Sequence, residues 1–479
     1  MKILTIVLLL CIPIYGYSYE PNTIDQKIIN FTFNEDFDQA KKIIDELIKN
    51  NSSSPKYYYY MINLKVLEYY KQITDMHPDK REEGRKTLNK EIINYCENIL
   101  NKFELSKLNT ENKFYYGSIY GYLARVQGLD KSWWGAFRSG QKTEDIMEQV
   151  LKEDPNFYDA YLLLGMLNYY ADRLSGITSF VAGILGYSGD RDKGLQQLKL
   201  AYEKGKLTFG QSALTLIEVY ASLEDNDEAA INYYEKFLQK FPNNKRVLNG
   251  YFQKLLNVGE FKKAENVLKN DNNNLLDDYT IAVYHNAKGN SKLALEFAEK
   301  AIIEKNKLWR GWLDYIYYIA AVNSKLLGDN NKSAKYEKEL EEDSKRLFDV
   351  MKRNPAGFNW LNDLSSQIAK GITINGFESA FKTKPDFSKT TVLEDHFNIL
   401  AGKFYLNNNL YSKAEQYFIK CFNSEDKGIG YTALKYVTDI YFRQNTDKKK
   451  VEKLLDEIDD FDNDRLSFRA KDLEKKYNL

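Results

Sequence analysis

Apolar residues recur every three or four positions along almost the whole chain, and no stretch shows sustained alternation of apolar and polar residues. The first clear apolar stripe spans residues 37–48, and turn residues from Asn50 to Pro55 end it. Such spacing places apolar side chains on one face of a helix, because an α-helix turns once every 3.6 residues. The pattern therefore predicts an all-α protein made of successive amphipathic helices.

A 34-residue period appears in the middle of the chain. Ala230, Tyr234, Phe237 and Pro242 stand at offsets 0, 4, 7 and 12, and Ala264 follows Ala230 after 34 residues. Small residues at these offsets let two paired helices approach closely, and the larger side chains fill the neighbouring groove. This signature predicts an α-solenoid of tetratricopeptide-like helix–turn–helix repeats. Such scaffolds bind partners, so it indicates binding of a protein or an extended peptide and no enzymatic activity.

Shifts in composition and regularity divide the chain into five segments. We expect a signal peptide at 1–18, an N-terminal helical region at 19–155, tetratricopeptide-like repeats at 156–310 with an insertion at 171–189, an irregular helical region and linker at 311–390, and a C-terminal repeat with capping helices at 391–479. Within the fourth segment, dense Pro and Gly residues predict an irregular linker from Asn354 to Asp386.

The first residues have the pattern of a secretory signal peptide. Lys2 supplies a positive charge, residues 3–14 are apolar, and Gly16 and Ser18 place small residues before a cut at Tyr19. Leu10 before Cys11 does not fit a lipoprotein signal, which needs a small residue there. The segment predicts a secreted or periplasmic protein.

Charge and side-chain chemistry argue against several other functions. The chain has 68 Lys and Arg against 68 Asp and Glu, so it has no overall field that would attract nucleic acid. Its three histidines, His77, His285 and His396, are far apart in the sequence. None has a carboxylate or thiol neighbour at the spacing that metal ligands show. We find no motif for catalysis, a metal or a cofactor, and we interpret Cys96 and Cys421 as free buried thiols.

The most specific stretch of the chain runs from Phe157 to Ala201, and it overlaps a segment from Ile177 to Gly205 that carries a family resemblance. An apolar stretch is followed by Gly189, Asp190 and Arg191, and then by a helix with Gly194 near its start. This segment resembles the signature of the tetratricopeptide repeat domain 39 proteins, which are related to the yeast inclusion-body clearance protein associated with the mitochondrial outer membrane. The resemblance covers 159–479 and implies an all-helical repeat fold with a non-enzymatic role. It does not extend to localisation, because those relatives are intracellular.

Two roles follow for this segment. Asp190 suits the N-cap of the helix that begins near Arg191, because its carboxylate can accept the free N–H groups there. We expect Arg191 to form an ion pair with a carboxylate that holds the insertion in place, or alternatively to contact a ligand. The apolar residues 177–185 are too few for a bilayer span. They suit a buried helix, or else a docking element for a partner or for peripheral membrane contact.

The repeat geometry also indicates a partner-binding face. Counting back from Ala264, the inward positions fall on Arg246, Asn249, Gln253 and Asn257, whose spacings of 3 and 4 place them on one helix face. Amides and a guanidinium suit the backbone or a carboxylate of an extended peptide, although an ordinary solvated face has a similar composition.

Two alternatives from other classes stay open, and the sequence leaves the oligomeric state open. The first is a SusD-like glycan-binding protein that uses exposed aromatics such as Trp133 or Trp134. The second is a helical carbohydrate-active enzyme, for which no acid–base pair is evident.

Overall fold

A computed structural model describes residues 20–173, 189–387 and 390–479, although not the side chain of Asp464. These residues form 24 α-helices and no strand, so the predicted all-α fold is confirmed. The predicted signal peptide and residues 174–188 of the predicted insertion lie outside the described residues. Across the three described ranges, none of the helices has both the length and the apolar content needed to cross a bilayer.

Contacts within the chain group its residues into two compact units, and the main division falls between Thr215 and Leu216. The first unit comprises the residues up to 73 together with 82–215, and residues 74–81 group with the second unit. Its described helices are α1 (Thr23–Phe33), α2 (Phe37–Asn50), α3 (Pro55–Asp75), α4 (Arg81–Leu100), α5 (Thr110–Leu129), α6 (Trp133–Glu153), α7 (Ala160–Asp172), α8 (Arg191–Lys204) and α9 (Phe209–Glu218).

In the first unit α1 packs on α2, α6 packs on α7, and the most extensive contacts join α5 to α6 and α7 to α8. Aromatic rings fill much of its core. The ring of Tyr59 lies 5.3 Å from that of Tyr115, and the rings of Phe114 and Phe157 are 4.9 Å apart. The tyrosine-rich stretches of the sequence therefore serve mainly as packing surfaces within this unit.

One buried carboxylate organises the turn before α9. Asp159, which is 4% exposed, accepts hydrogen bonds from the backbone N–H groups of Lys206, Leu207 and Thr208 at 3.1, 2.9 and 2.8 Å. The hydroxyl of Thr208 donates a fourth bond at 2.8 Å. Backbone groups that precede a helix have no partner inside it, so this side chain satisfies donors that burial would otherwise leave unpaired.

The second unit consists of residues 74–81 and 216–479. Its helices are α10 (Asp227–Lys240), α11 (Lys245–Val258), α12 (Phe261–Asn270), α13 (Asp278–Ala287), α14 (Ser291–Ile303), α15 (Arg310–Leu326), α16 (Asn330–Glu337), α17 (Glu342–Arg353), α18 (Pro355–Ala369), α19 (Ile374–Ala380), α20 (Thr391–Asn407), α21 (Tyr411–Phe418), α22 (Lys427–Arg443), α23 (Lys448–Phe461) and α24 (Asp464–Tyr477).

The small residues of the repeat pattern lie inside this unit. Ala230 of α10, Ala264 of α12 and Ala294 of α14 are all fully buried. Since a methyl group is the whole side chain at each position, the helices of a pair can approach closely there. Cys96 and Cys421 are free and buried, as the sequence predicts.

The irregular linker that the sequence predicts from Asn354 to Asp386 is wrong for most of its length, because α18 and α19 occupy it. Pro355 stands at the first helical position, where its missing N–H has no cost and its fixed φ suits the helix. The side chain of Asn354 caps the same helix by accepting from the N–H of Gly357 at 2.9 Å. Pro355, one of the residues that suggested irregularity, is therefore a helix start signal.

Candidate functional site

A cleft of about 530 Å³ opens within the second unit, between α10 to α12 on one side and α20, α22 and α24 on the other. Eight of its sixteen lining side chains are charged. These are four acidic side chains and four basic ones, namely Asp227, Glu228, Glu260, Asp439, Lys263, Lys403, Arg443 and Arg469.

Helix termini bring several of these side chains to the cleft. Asn226 caps α10 by accepting from the N–H of Ala229 at 3.1 Å, so Asp227 and Glu228 lie in the first turn, where the helix dipole favours negative charge. The next helix, α11, ends at Gly259, whose φ of 84° belongs to the left-handed region. That turn directs Glu260 to the cleft.

A buried ion-pair cluster holds the two sides of the cleft together. The ammonium of Lys435 donates to Asp225 at 2.7 Å and to Asp227 at 2.8 Å. Asp227 also accepts from Lys254 at 2.7 Å, and Asp225 accepts from the hydroxyl of Tyr431 at 2.7 Å. The Lys435, Asp225 and Asp227 side chains are 11%, 12% and 14% exposed, so little water screens their attraction.

Two further charge pairs involve α22 and α24, on the other side of the cleft from α10 to α12. Arg469 pairs with Asp439, and its guanidinium lies 4.6 Å from the centre of the Phe442 ring. Burial raises the pKa of Asp439, although the Arg469 charge acts in the opposite direction. Arg443 pairs with Glu228 at 3.1 Å in a more exposed position. Most of the charges that line the cleft are therefore already compensated.

Lys403 of α20 differs from these residues. Its ammonium donates to the carbonyl oxygen of Asn257 at 3.3 Å and lies 5.4 Å from the centre of the Tyr436 ring. Burial and the charge of Lys435 together lower its pKa to about 8, although Asp227 acts in the opposite direction. Among the described residues, no carboxylate comes within 4.0 Å of this ammonium.

The four residues predicted to form a partner-binding face all lie on α11, although their exposure to solvent differs. Arg246 and Asn257 are exposed and Gln253 is half-buried. In the part of the chain that the structure describes, the side-chain amides of Gln253 and Asn257 have no hydrogen-bond partner. Asn257 also directly precedes Val258, which lines the cleft. The predicted face therefore borders the cleft at its C-terminal end.

Asn249 instead points into the unit, where it is 6% exposed. Its amide N–H₂ donates to the carbonyls of Lys245 and Leu275, each at 2.9 Å. Its oxygen accepts from the N–H of Asp277 at 2.8 Å and from the hydroxyl of Thr280 at 2.9 Å. All the polar atoms of this side chain are engaged in joining α11 to the start of α13, which leaves none for a peptide.

Replacing Asn249 by alanine should therefore lower the free energy of unfolding by about 2 kcal/mol, because buried backbone groups lose their partners. Urea denaturation measures this loss. Gln253→Ala, one turn further along the same helix, is the matched control and should leave stability within about 0.5 kcal/mol of wild type. An unchanged denaturation midpoint for Asn249→Ala would contradict the structural role.

The predicted motif at 189–194 lies in the first unit. Asp190 is the N-cap residue of α8 and accepts from the N–H of Lys193 at 2.9 Å, which is the role that the sequence predicts. A Cβ at Gly194 would lie only 2.6 Å from the backbone nitrogen of Tyr169, so glycine permits α7 and α8 to pack closely. Arg191 lies 3.2 Å from Asp192. The predicted clamp on residues 177–187, and the apolar stretch 177–185, lie outside the described residues.

The two tryptophans of the glycan-binding alternative lie at the start of α6 in the first unit. Trp133 is 39% exposed and Trp134 is 55% exposed, and the Trp134 ring stacks 6.0 Å from that of Phe137. For metals, the described ranges contain no group of three His, Cys, Asp or Glu residues that could hold an ion.

No protein-family model matches the chain, and no curated protein sequence matches it. Three solved structures are similar to it at low sequence identity. The APC/C hetero-tetramer Cut9–Hcn1 shows 10% identity over 94% of this chain and 95% of that chain, with a TM-score of 0.22. The P58(IPK) TPR domain shows 15% identity over 82% and 97%, with a TM-score of 0.18. A circular tandem repeat protein with novel repeat topology shows 11% over 95% and 97%, with a TM-score of 0.18.

Proposed function

We propose that this protein is a non-catalytic scaffold that binds a protein partner through an extended peptide segment. The observation that carries the proposal is the pair of amides, Gln253 and Asn257, which have no partner among the described residues and lie on the α11 face beside the 530 Å³ cleft. Side-chain amides both donate and accept, so they match the alternating N–H and C=O groups of an extended backbone. Arg246 extends the same face toward the start of the helix.

Export belongs to the same proposal. It is supported by the signal-peptide pattern of residues 2–18, and the N-terminal residue of the exported protein, expected near Tyr19, tests it. The resemblance of Gly189, Asp190, Arg191 and Gly194 to the tetratricopeptide repeat domain 39 proteins supports an interaction role. On this proposal the apolar residues 177–185 offer a second contact, to the partner or peripherally to lipid.

Replacing Gln253 and Asn257 together by alanine should weaken partner binding at least about tenfold, since each lost hydrogen bond costs about 1 kcal/mol. The partner is first captured by cross-linking in native envelope extract and then titrated against both variants. The control is Asn266→Ala with Asn270→Ala, which removes two amides that bond to each other on α12. Full binding by the Gln253 and Asn257 variant would remove this face from the proposal.

A further inference from the structure

Lys403 stands apart from the other cations that line the cleft. Lys263 pairs with Glu235, Arg443 with Glu228 and Arg469 with Asp439, so each of these three has a carboxylate partner. Lys403 has only the carbonyl of Asn257 and the face of the Tyr436 ring, and no carboxylate of the described residues pairs with it. Within the described ranges, one positive charge of the cleft therefore has no carboxylate paired with it.

The surroundings of Lys403 disfavour its charged form. The Lys435 ammonium repels it, while Asp227, whose charge would help, already holds Lys254 and Lys435. On the same side of the cleft as Lys403, Asp439 is occupied by Arg469. A partly desolvated cation in this position gains more from an arriving anion than a solvated lysine does, because the attraction acts in a lower effective dielectric.

We infer that Lys403 is the anchor for a carboxylate of the bound ligand, and that the Lys403 amine takes up a proton when the ligand binds in mildly alkaline solution. This inference rests on the proposed function, because it gives the cleft a ligand class: a peptide that bears a carboxylate, on a side chain or at its end. The carboxylate stays ionised throughout. Where the Lys403 amine is neutral, one proton from solvent converts it to the ammonium that pairs with the ligand.

The sign of the pH dependence follows from this pairing. A bound carboxylate stabilises the ammonium, so it raises the pKa of Lys403 from about 8 toward the ordinary lysine value of about 10.4. Affinity is then highest below pH 8. The affinity falls by up to about tenfold for each pH unit between the pKa of Lys403 in the free protein and its pKa in the complex, because the amine must be protonated before the carboxylate binds.

Three small probes test the inference and separate the two sources of carboxylate. N-acetylglutamic acid α-amide carries only a side-chain carboxylate, N-acetylglutamine carries only a terminal one, and N-acetylglutamine amide carries none. Side-chain NMR of ¹⁵N-labelled lysine follows the pKa of Lys403 in the full-length protein during each titration. We expect one or both carboxylates to raise this pKa, and the neutral probe to leave it unchanged.

Two variants make the test specific to Lys403. Lys403→Met removes an unfavourably placed charge, so it should fold normally, and it should lose at least about tenfold in affinity for the effective carboxylate. Lys263→Met removes a paired cation of the same cleft and should bind that carboxylate as wild type does. If no carboxylate changes the pKa of Lys403, or if Lys403→Met binds unchanged, the inference is wrong. The partner titration is a separate measurement, so a failure of the scaffold proposal is recognised independently.

Discussion

Replacing Lys435 by methionine should lower the free energy of unfolding by about 3 kcal/mol. The substitution removes the ammonium that pairs with both Asp225 and Asp227, although Asp227 keeps its pair with Lys254, and breaking a buried pair costs far more than its formation contributes. Urea denaturation, monitored by circular dichroism, measures this loss of stability.

The neighbouring exposed pair supplies the matched control. Arg443 and Glu228 also connect α22 to α10, but their side chains are 42% and 80% exposed. Water and salt screen such a pair, so Arg443→Met should cost less than about 1 kcal/mol. Equal losses for the two variants would mean that burial does not strengthen the Lys435 cluster.

The loss at Lys435 should also depend on pH. Burial disfavours both charges, but the ion pairs outweigh it, so the pKa of Asp227 is lowered and that of Lys435 is raised. The lowered carboxyl pKa stabilises the fold above about pH 3.9 and stops doing so as the pH falls through the folded value. The raised lysine pKa stabilises it below about pH 10.4 and stops doing so as the pH rises through the folded value. The difference between variant and wild type should therefore be constant from about pH 5 to pH 9 and shrink outside that window.

In the first unit, Asp159→Ala should lower the free energy of unfolding by about 4 kcal/mol. It removes the acceptor of four hydrogen bonds, three of them from backbone N–H groups in a site closed to water, and each buried donor left unpaired costs about 1 to 3 kcal/mol. Urea denaturation of the full-length protein measures this loss.

The near-isosteric Asp159→Asn is the control for that prediction. Its single carbonyl oxygen can keep the three bonds that now reach Oδ1, and only the bond from Lys206 is lost. We expect a loss of about 1 to 2 kcal/mol. A loss as large as that of the alanine variant would show that the negative charge, and not the acceptor geometry, stabilises the turn.

Local patterns predicted the elements of the fold because their causes lie within a few residues. The period that contains Ala230 and Ala264 identified positions that are fully buried, and Asp190 was recognisable as an N-cap from its place before the helix. Pro355 suggests a break when the sequence is considered alone, although proline is favourable at a helix start, and here it follows the N-cap residue Asn354. The same residue types occur in loops and at helix starts, so their meaning depends on the residues that come after them.

The candidate site was only partly predictable, because its two sides are far apart in sequence. The α11 face could be located by counting along the repeat, whereas Lys403 and Lys435 lie on helices 150 to 200 residues away with no motif around them. Asn249 shares the spacing of the predicted face, and only the tertiary position of α13 turns its amide inward. A one-dimensional pattern specifies the face of a helix but not the element that packs against it.

The contacts between early and late helices of the second unit limit how its repeat number can change. In an open array each repeat touches only its neighbours, so copies can be gained or lost with little effect on the rest. Here Lys435 binds Asp225 and Asp227, and Asn407 donates to the carbonyl of Val258 at 2.9 Å. A repeat inserted between α13 and α19 would shift one set of partners away from the other. Natural variation in length should therefore accumulate outside residues 225–443, while this interval keeps a fixed number of helices.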